Sequence, residues 1–163
     1  MKKSEKCCFL IMAILLAMGT WCTAQVKALP IEKVDNSMRT LAKPVLILLT
    51  TDWCKYCQLQ KEQLRNNKDF QAKTENVYYV EFDAERKENI TFHEHRYGYK
   101  ATGVSTGIHD LAVALSGDRG VSFPAWVLLD KDYQVLFRHN GILAPQQLKE
   151  LLNSLDGVKH TNK

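Results

Sequence analysis

Ile31, Val34, Met38 and Leu41 recur at helical spacing with polar residues between them, and Pro44 stops the pattern. This predicts an amphipathic helix laid on a sheet. The next run, Val45-Leu46-Ile47-Leu48-Leu49, is apolar on both faces, as a central strand covered on both sides has to be. From Cys54 the pattern turns helical through Gln58, Leu59, Glu62, Gln63 and Leu64 and ends near Asn66-Asn67, with a further short helical turn around Phe70. Asn76 to Asp83, rich in aromatic and β-branched residues, reads as a second strand. Two strands flanking a helix form a parallel pair with a right-handed crossover.

The second half is less regular at first. In residues 85–107, Ile90-Thr91-Phe92 and Tyr97-Gly98-Tyr99 are predicted to pair across His93-Glu94-His95-Arg96, although no Asn-Gly or Asp-Gly marks the turn. Ile108, Leu111, Ala112 and Leu115 share one helical face, and Gly117 ends that helix. Phe123 to Leu129 gives a third strand, Asp130 to Tyr133 a turn, and Gln134 to Arg138 a fourth strand, so the last two form an antiparallel hairpin. Gly141 breaks the strand and Pro145 opens a helix at a favoured early position. Leu148, Leu151, Leu152 and Leu155 are its buried stripe, and the tail at 158–163 is polar. The pattern amounts to one α/β domain over 25–157.

The first 24 residues stand apart. Lys2, Lys3 and Lys6 precede an apolar stretch from Cys8 to Met18, and Cys22-Thr23-Ala24 supplies small residues where a signal peptidase cuts, which predicts a secretory signal at 1–24 and a mature start at Gln25. The apolar stretch is shorter than the roughly 18 residues a membrane span needs. Trp21 is too bulky before Cys22 for lipidation. The Lys-Lys start has a bacterial look, so the predicted location is the periplasm.

Losing that segment changes the charge and the cysteine count. Formal charge is +4 for the whole chain, and removing three Lys and one Glu leaves +2, too small an excess to point to nucleic acid or an anionic membrane. A hydrophobic share of 45% with 25% charged residues is that of a soluble globular domain. Cys7, Cys8 and Cys22 leave with the signal, so only Cys54 and Cys57 remain. One pair across so short a loop is a poor staple, because stabilisation grows with the loop closed. Chemistry explains it better. A cysteine at a helix start sits among unpaired N–H groups that stabilise a thiolate, the form that attacks disulfides. Thr51-Asp52-Trp53-Cys54-Lys55-Tyr56-Cys57 is therefore read as a thiol-disulfide redox site.

In order along the chain, Trp53-Cys54-Lys55-Tyr56-Cys57 between strand and helix, Phe123-Pro124 at the head of a strand, and Gly141-Ile142-Leu143 before the last helix resemble the thioredoxin family over residues 40–155. The resemblance implies a mixed four- to five-stranded sheet with helices on both faces and the dithiol at its edge. It also implies a cis Pro124 beside that dithiol, with neighbouring backbone that pairs with a substrate chain. Six residues before the first cysteine, where thioredoxins carry a buried Asp, this chain has Leu48, which leaves Asp52, Glu81 or a water to take the proton of Cys57. The insert at 85–107 is longer than compact members have and is closer to exported bacterial relatives.

On this reading Cys54, at the helix start and the more exposed of the two, attacks, and Cys57 resolves. Trp53, Lys55, Tyr56, Phe123 and Pro124 are the substrate-binding candidates: Trp53 as a cap facing substrate, Phe123 as core or groove wall, Lys55 and Tyr56 as exposed turn residues or tuners of the thiolate. No cofactor is needed beyond the Cys54–Cys57 disulfide. The expected partners are protein disulfides or dithiols and a membrane electron donor, with the protein a monomer. Direction is open between reductase and oxidase or isomerase. The absence of a histidine between the cysteines favours the reductase. The rival from another class is a zinc or copper module built from Cys54, Cys57, His93 and His95, and a further one is a binding module with a static disulfide. His109, His139 and His160 read as surface or satisfied residues.

Overall fold

The computed structural model describes residues 26–157. The predicted signal at 1–24 and the tail at 158–163 lie outside the described residues. Helix α1 spans Ile31–Thr40 and buries Ile31, Val34 and Met38, whereas Leu41 caps its end and stays exposed. Strand β1, Val45–Thr50, is buried along its whole length. Helices α2, Lys55–Arg65, and α3, Lys68–Lys73, follow, with Asn67 Oδ1 capping α3 by accepting the Phe70 N–H at 2.9 Å. Strand β2 is Tyr78–Asp83. After the insert come α4, Asp110–Ser116, then β7, Ala125–Leu129, β8, Val135–Asn140, and α5, Pro145–Gly157.

The sheet has four strands in the order β2-β1-β7-β8. Strand β1 runs parallel to β2, from Val45 beside Tyr78 to Thr50 beside Asp83, and antiparallel to β7, with Leu49 beside Ala125. Strand alternation divides the core. Val45, Ile47 and Leu49 pack with Ile31 and Val34 of α1 and Leu111 and Leu115 of α4. Leu46 and Leu48 pack with Leu64 of α2, Phe70 of α3 and Leu148, Leu152 and Leu155 of α5. Helices therefore cover both faces, as the apolar run in β1 requires. This register also brings the end of β1 and the start of β7 to one end of the sheet, and sends the β7–β8 turn to the other.

The insert is more ordered than its sequence suggests. Strands β3, Ile90–Phe92, and β4, His95–Tyr97, pair with Ile90 beside Tyr97, so the turn is the two residues His93-Glu94 and not the four expected. Both have positive φ, 48° and 64°, in a position that favours Asn or Gly. Tertiary bonds hold them there: Asp35 of α1 accepts the His93 N–H at 2.8 Å and the Tyr133 hydroxyl at 2.7 Å, and the Tyr133 ring stacks on His93 at 4.2 Å. Tyr99 does not join that hairpin. It begins β5, Tyr99–Ala101, which pairs with β6, Gly107–His109, a strand where the sequence pattern predicts the start of a helix. Gly107 is required there, because a Cβ would lie 2.5 Å from the Lys100 carbonyl oxygen as well as 2.3 Å from the Tyr99 ring.

Candidate active site

Cys54 is the N-cap of α2, and its Sγ accepts the Cys57 N–H at 3.1 Å. The two cysteines are joined by a disulfide with their Cα atoms 5.2 Å apart. No acidic residue lies in the first turn of α2, so on reduction the free N–H groups and the helix dipole act on Cys54 without a competing carboxylate there. Cys54 keeps 4% of its surface and Cys57 none. The expected order of exposure holds, but Cys54 is more enclosed than an attacking sulfur was expected to be. Disulfide exchange is a displacement along the S–S axis, so it needs approach to one end of one sulfur and not exposure of the residue.

Trp53 is 67% exposed, which excludes it from the core. Its ring meets Phe123 edge-on at 6.3 Å, and its Nε1–H donates to Glu85 Oε1 at 3.1 Å. The contact with Phe123 ties the motif to the loop before β7. There the Phe123–Pro124 peptide is cis, as the family resemblance implies. Pro124 O accepts the Gly141 N–H at 2.7 Å, while neither main-chain group of Phe123 takes part in a turn or loop hydrogen bond among the described residues. Phe123 is half-buried and packs on the α1–α4 side of the core, so it is both core residue and rim. Lys55 and Tyr56 point outward, Tyr56 with 66% of its surface exposed.

Leu48 is fully buried, and the residue beside it in the ladder is Glu81. Cross-strand neighbours share a face, so the carboxylate of this side stands on β2 and not on β1. Glu81 pairs with Lys61 of α2 at 3.1 Å and accepts the Tyr79 hydroxyl at 3.1 Å. Burial first, and then the Glu81 carboxylate, hold the Tyr79 phenol protonated well above its ordinary range.

The metal reading fails on geometry. His93, in the β3–β4 turn, stacks on Tyr133, with His95 beside it at the start of β4, at the end of the sheet remote from Cys54, and the cysteine sulfurs are bonded to each other. No group of three metal-ligating side chains occurs among the described residues. His109 is fully buried and satisfied, not a surface residue: Nδ1 accepts the Leu111 N–H at 3.2 Å and Nε2 donates to Glu88 O at 3.1 Å. His139 is half-buried, with Nε2 donating to Ile142 O at 3.3 Å, and His160 lies outside the described residues.

Two residues that support the site escape the sequence reading. Glu85, next to the end of β2, is visible only through the fold. Gln60 shares the inward face of α2 with Cys57 and Leu64, and the i, i+3, i+7 spacing was the signal that could have found it.

A thioredoxin-like domain profile matches residues 32–156. The chain belongs to the thioredoxin-like family. Given the disulfide in its Trp-Cys-x-x-Cys motif, it is a thiol-disulfide oxidoreductase of that family. Among solved structures it is similar to a DsbH oxidoreductase, at 16% identity over 82% of this chain and 86% of that one, with a TM-score of 0.54. It is also similar to a chloroplastic thioredoxin z, at 18% identity over 81% and 96%, with a TM-score of 0.52. At these identities the likeness concerns the fold. No curated protein matches the chain.

Proposed function

We propose that this thioredoxin-like protein reduces disulfides of exported proteins, with Cys54 attacking and Cys57 resolving. The observation that carries the reading is Cys54 Sγ at the N-cap of α2, disulfide-bonded to Cys57 and linked through Trp53 and Phe123 to a loop where the Phe123 main chain makes no turn or loop hydrogen bond among the described residues. The reduced Cys54 thiolate attacks one sulfur of a substrate cystine, forming a mixed disulfide and expelling the other sulfur as a thiolate. Cys57, deprotonated, then attacks Cys54 Sγ. This forms the intramolecular disulfide and expels the second substrate thiolate, so two electrons pass to the substrate. An extended substrate chain lies along the Phe123 main chain, as a short strand-like pairing at the end of the sheet where β7 begins.

Direction depends on how strongly the Cys54 thiolate is stabilised, since a more stabilised thiolate makes a stronger oxidant. Only Lys55 and Tyr56 lie between the cysteines, and both are exposed. That arrangement supports a reductase. Equilibration against glutathione or dithiothreitol buffers is expected to give a midpoint near or below about −200 mV, on the thioredoxin side of the scale. A midpoint near about −120 mV, the range of a dedicated oxidant, rejects the direction while leaving the exchange chemistry standing.

The basic and apolar segment at 1–24 supports action in the cell envelope, most simply the bacterial periplasm. In that oxidising compartment the Cys54–Cys57 pair needs an electron donor, and a membrane protein relaying cytoplasmic electrons fits. No helix among the described residues is long and apolar enough to cross a membrane.

Trp53 serves as an exposed aromatic contact for the substrate. Trp53→Ala is expected to raise KM for a protein disulfide about tenfold while changing stability by less than about 1 kcal/mol, because so little of the ring is buried. Steady-state kinetics and a thermal melt check both halves. An unchanged KM removes Trp53 from the binding surface.

A further inference from the structure

We propose that Gln60 is a positioning residue that fixes the far wall of the substrate slot by holding the Gly141–Leu143 segment to the cysteine-bearing helix. The proposal rests on the exchange reading of Cys54.

Helix α2 turns the wrong side chain inward by hydropathy: Leu59 is 49% exposed and Gln60 is fully buried. A primary amide out of water is unfavourable unless each polar atom finds a partner. Here both do. Oε1 accepts the Leu143 N–H at 2.7 Å, across 83 residues of sequence, and Nε2 donates to Gln63 Oε1 at 3.1 Å. Leu143 is itself buried and belongs to no helix or strand, so its N–H has no ladder to satisfy it.

The same short segment is tied at its other end to the proline loop. Gly141, at φ 100°, donates its N–H to Pro124 O at 2.7 Å, and His139 Nε2 donates to Ile142 O between the two ties. Residues 141–143 therefore bridge from the cis-proline loop to a point one helical turn beyond Cys57. The bond to Gln60 sets how far that bridge stands from the Cys54–Cys57 end of α2. A chain laid along Phe123 would lie against this bridge. A small disulfide can reach Cys54 Sγ without touching it.

The consequence is a split between substrate sizes that loss of fold does not produce. Gln60→Met preserves length and apolar volume but deletes the acceptor. It is expected to raise KM for an oxidised protein substrate about tenfold, with kcat held within about twofold. The rate with 5,5′-dithiobis(2-nitrobenzoate) and the midpoint potential should stay unchanged. Amide hydrogen exchange at Leu143, read by NMR, should quicken about tenfold or more. Gln63→Leu, at a partly exposed position, frees the Gln60 amide to rotate and should give the same split in milder form, whether or not Gln60→Met folds. Equal losses on both substrates, or a faster Leu143 amide with no change in KM, overturn the proposal. A wild-type protein that reduces neither substrate fails the exchange reading instead, and that result is separable because the Leu143 amide reports on the bond without any turnover.

Discussion

Cys54→Ser is expected to abolish turnover of protein disulfides, a loss of at least about 10³-fold, whereas Cys57→Ser should complete the first attack and then stall. The asymmetry follows from the positions of the two sulfurs. Cys54 caps α2 and keeps the little surface that the pair exposes, while Cys57 is fully enclosed one turn further on. A hydroxyl at position 54 has no comparable nucleophilicity near neutral pH, because the thiol exchanges through its thiolate and serine is not ionised there. A hydroxyl at position 57 leaves the attack intact but removes the sulfur that would release the substrate. Stopped-flow or quench measurements with one oxidised substrate separate the two variants. Equal residual turnover in both would mean that the sulfurs are interchangeable, against the geometry of the N-cap.

The other large effect concerns stability. His109→Ala should lower unfolding free energy by about 3 kcal/mol, from a lost helix cap of about 1 kcal/mol, a lost hydrogen bond to the Glu88 carbonyl of about 0.5–1.5 kcal/mol, and the cavity left by a fully buried ring. For a domain of this size that is a fall in Tm of about 10 °C. The imidazole is the junction of the insert: it caps α4 through Leu111, holds the Glu88 carbonyl and packs edge-on against Phe82 at 5.3 Å. The His109 N–H also donates to Ala84 O at 2.7 Å, directly before the Glu85 that holds Trp53. His109→Asn keeps an acceptor for the Leu111 N–H and should recover about 1 kcal/mol. Denaturant melts of the three proteins decide the matter, and a loss under about 0.5 kcal/mol for the alanine variant removes His109 as the junction.

The core architecture was legible because its signals are periodic. The unbroken apolar run of β1, the leucine stripe of α5 and the helical onset at Cys54 each state their element without tertiary information. The redox pair was legible for a different reason: once the first 24 residues are set aside, two cysteines remain, three apart at a helix start. What was not legible depends on contacts distant in sequence. The His93-Glu94 turn lacks a turn signature because Asp35 holds it from outside. Strand β6 begins at a glycine that packs closely against Tyr99 and Lys100 of β5, a contact that no local pattern records. Gln60 looks like a surface residue until Leu143 arrives from 83 residues away. In each case the identity of the residue is set by a partner outside its own element.

The most direct test of the central claim uses Cys57→Ser. The reduced variant is mixed with an oxidised protein substrate, quenched with acid and alkylating agent, and the adduct is mapped by tandem mass spectrometry. The account predicts one mixed disulfide per molecule, joined at Cys54 Sγ. Failure to form any adduct, with Cys54 recovered fully alkylated, would contradict it.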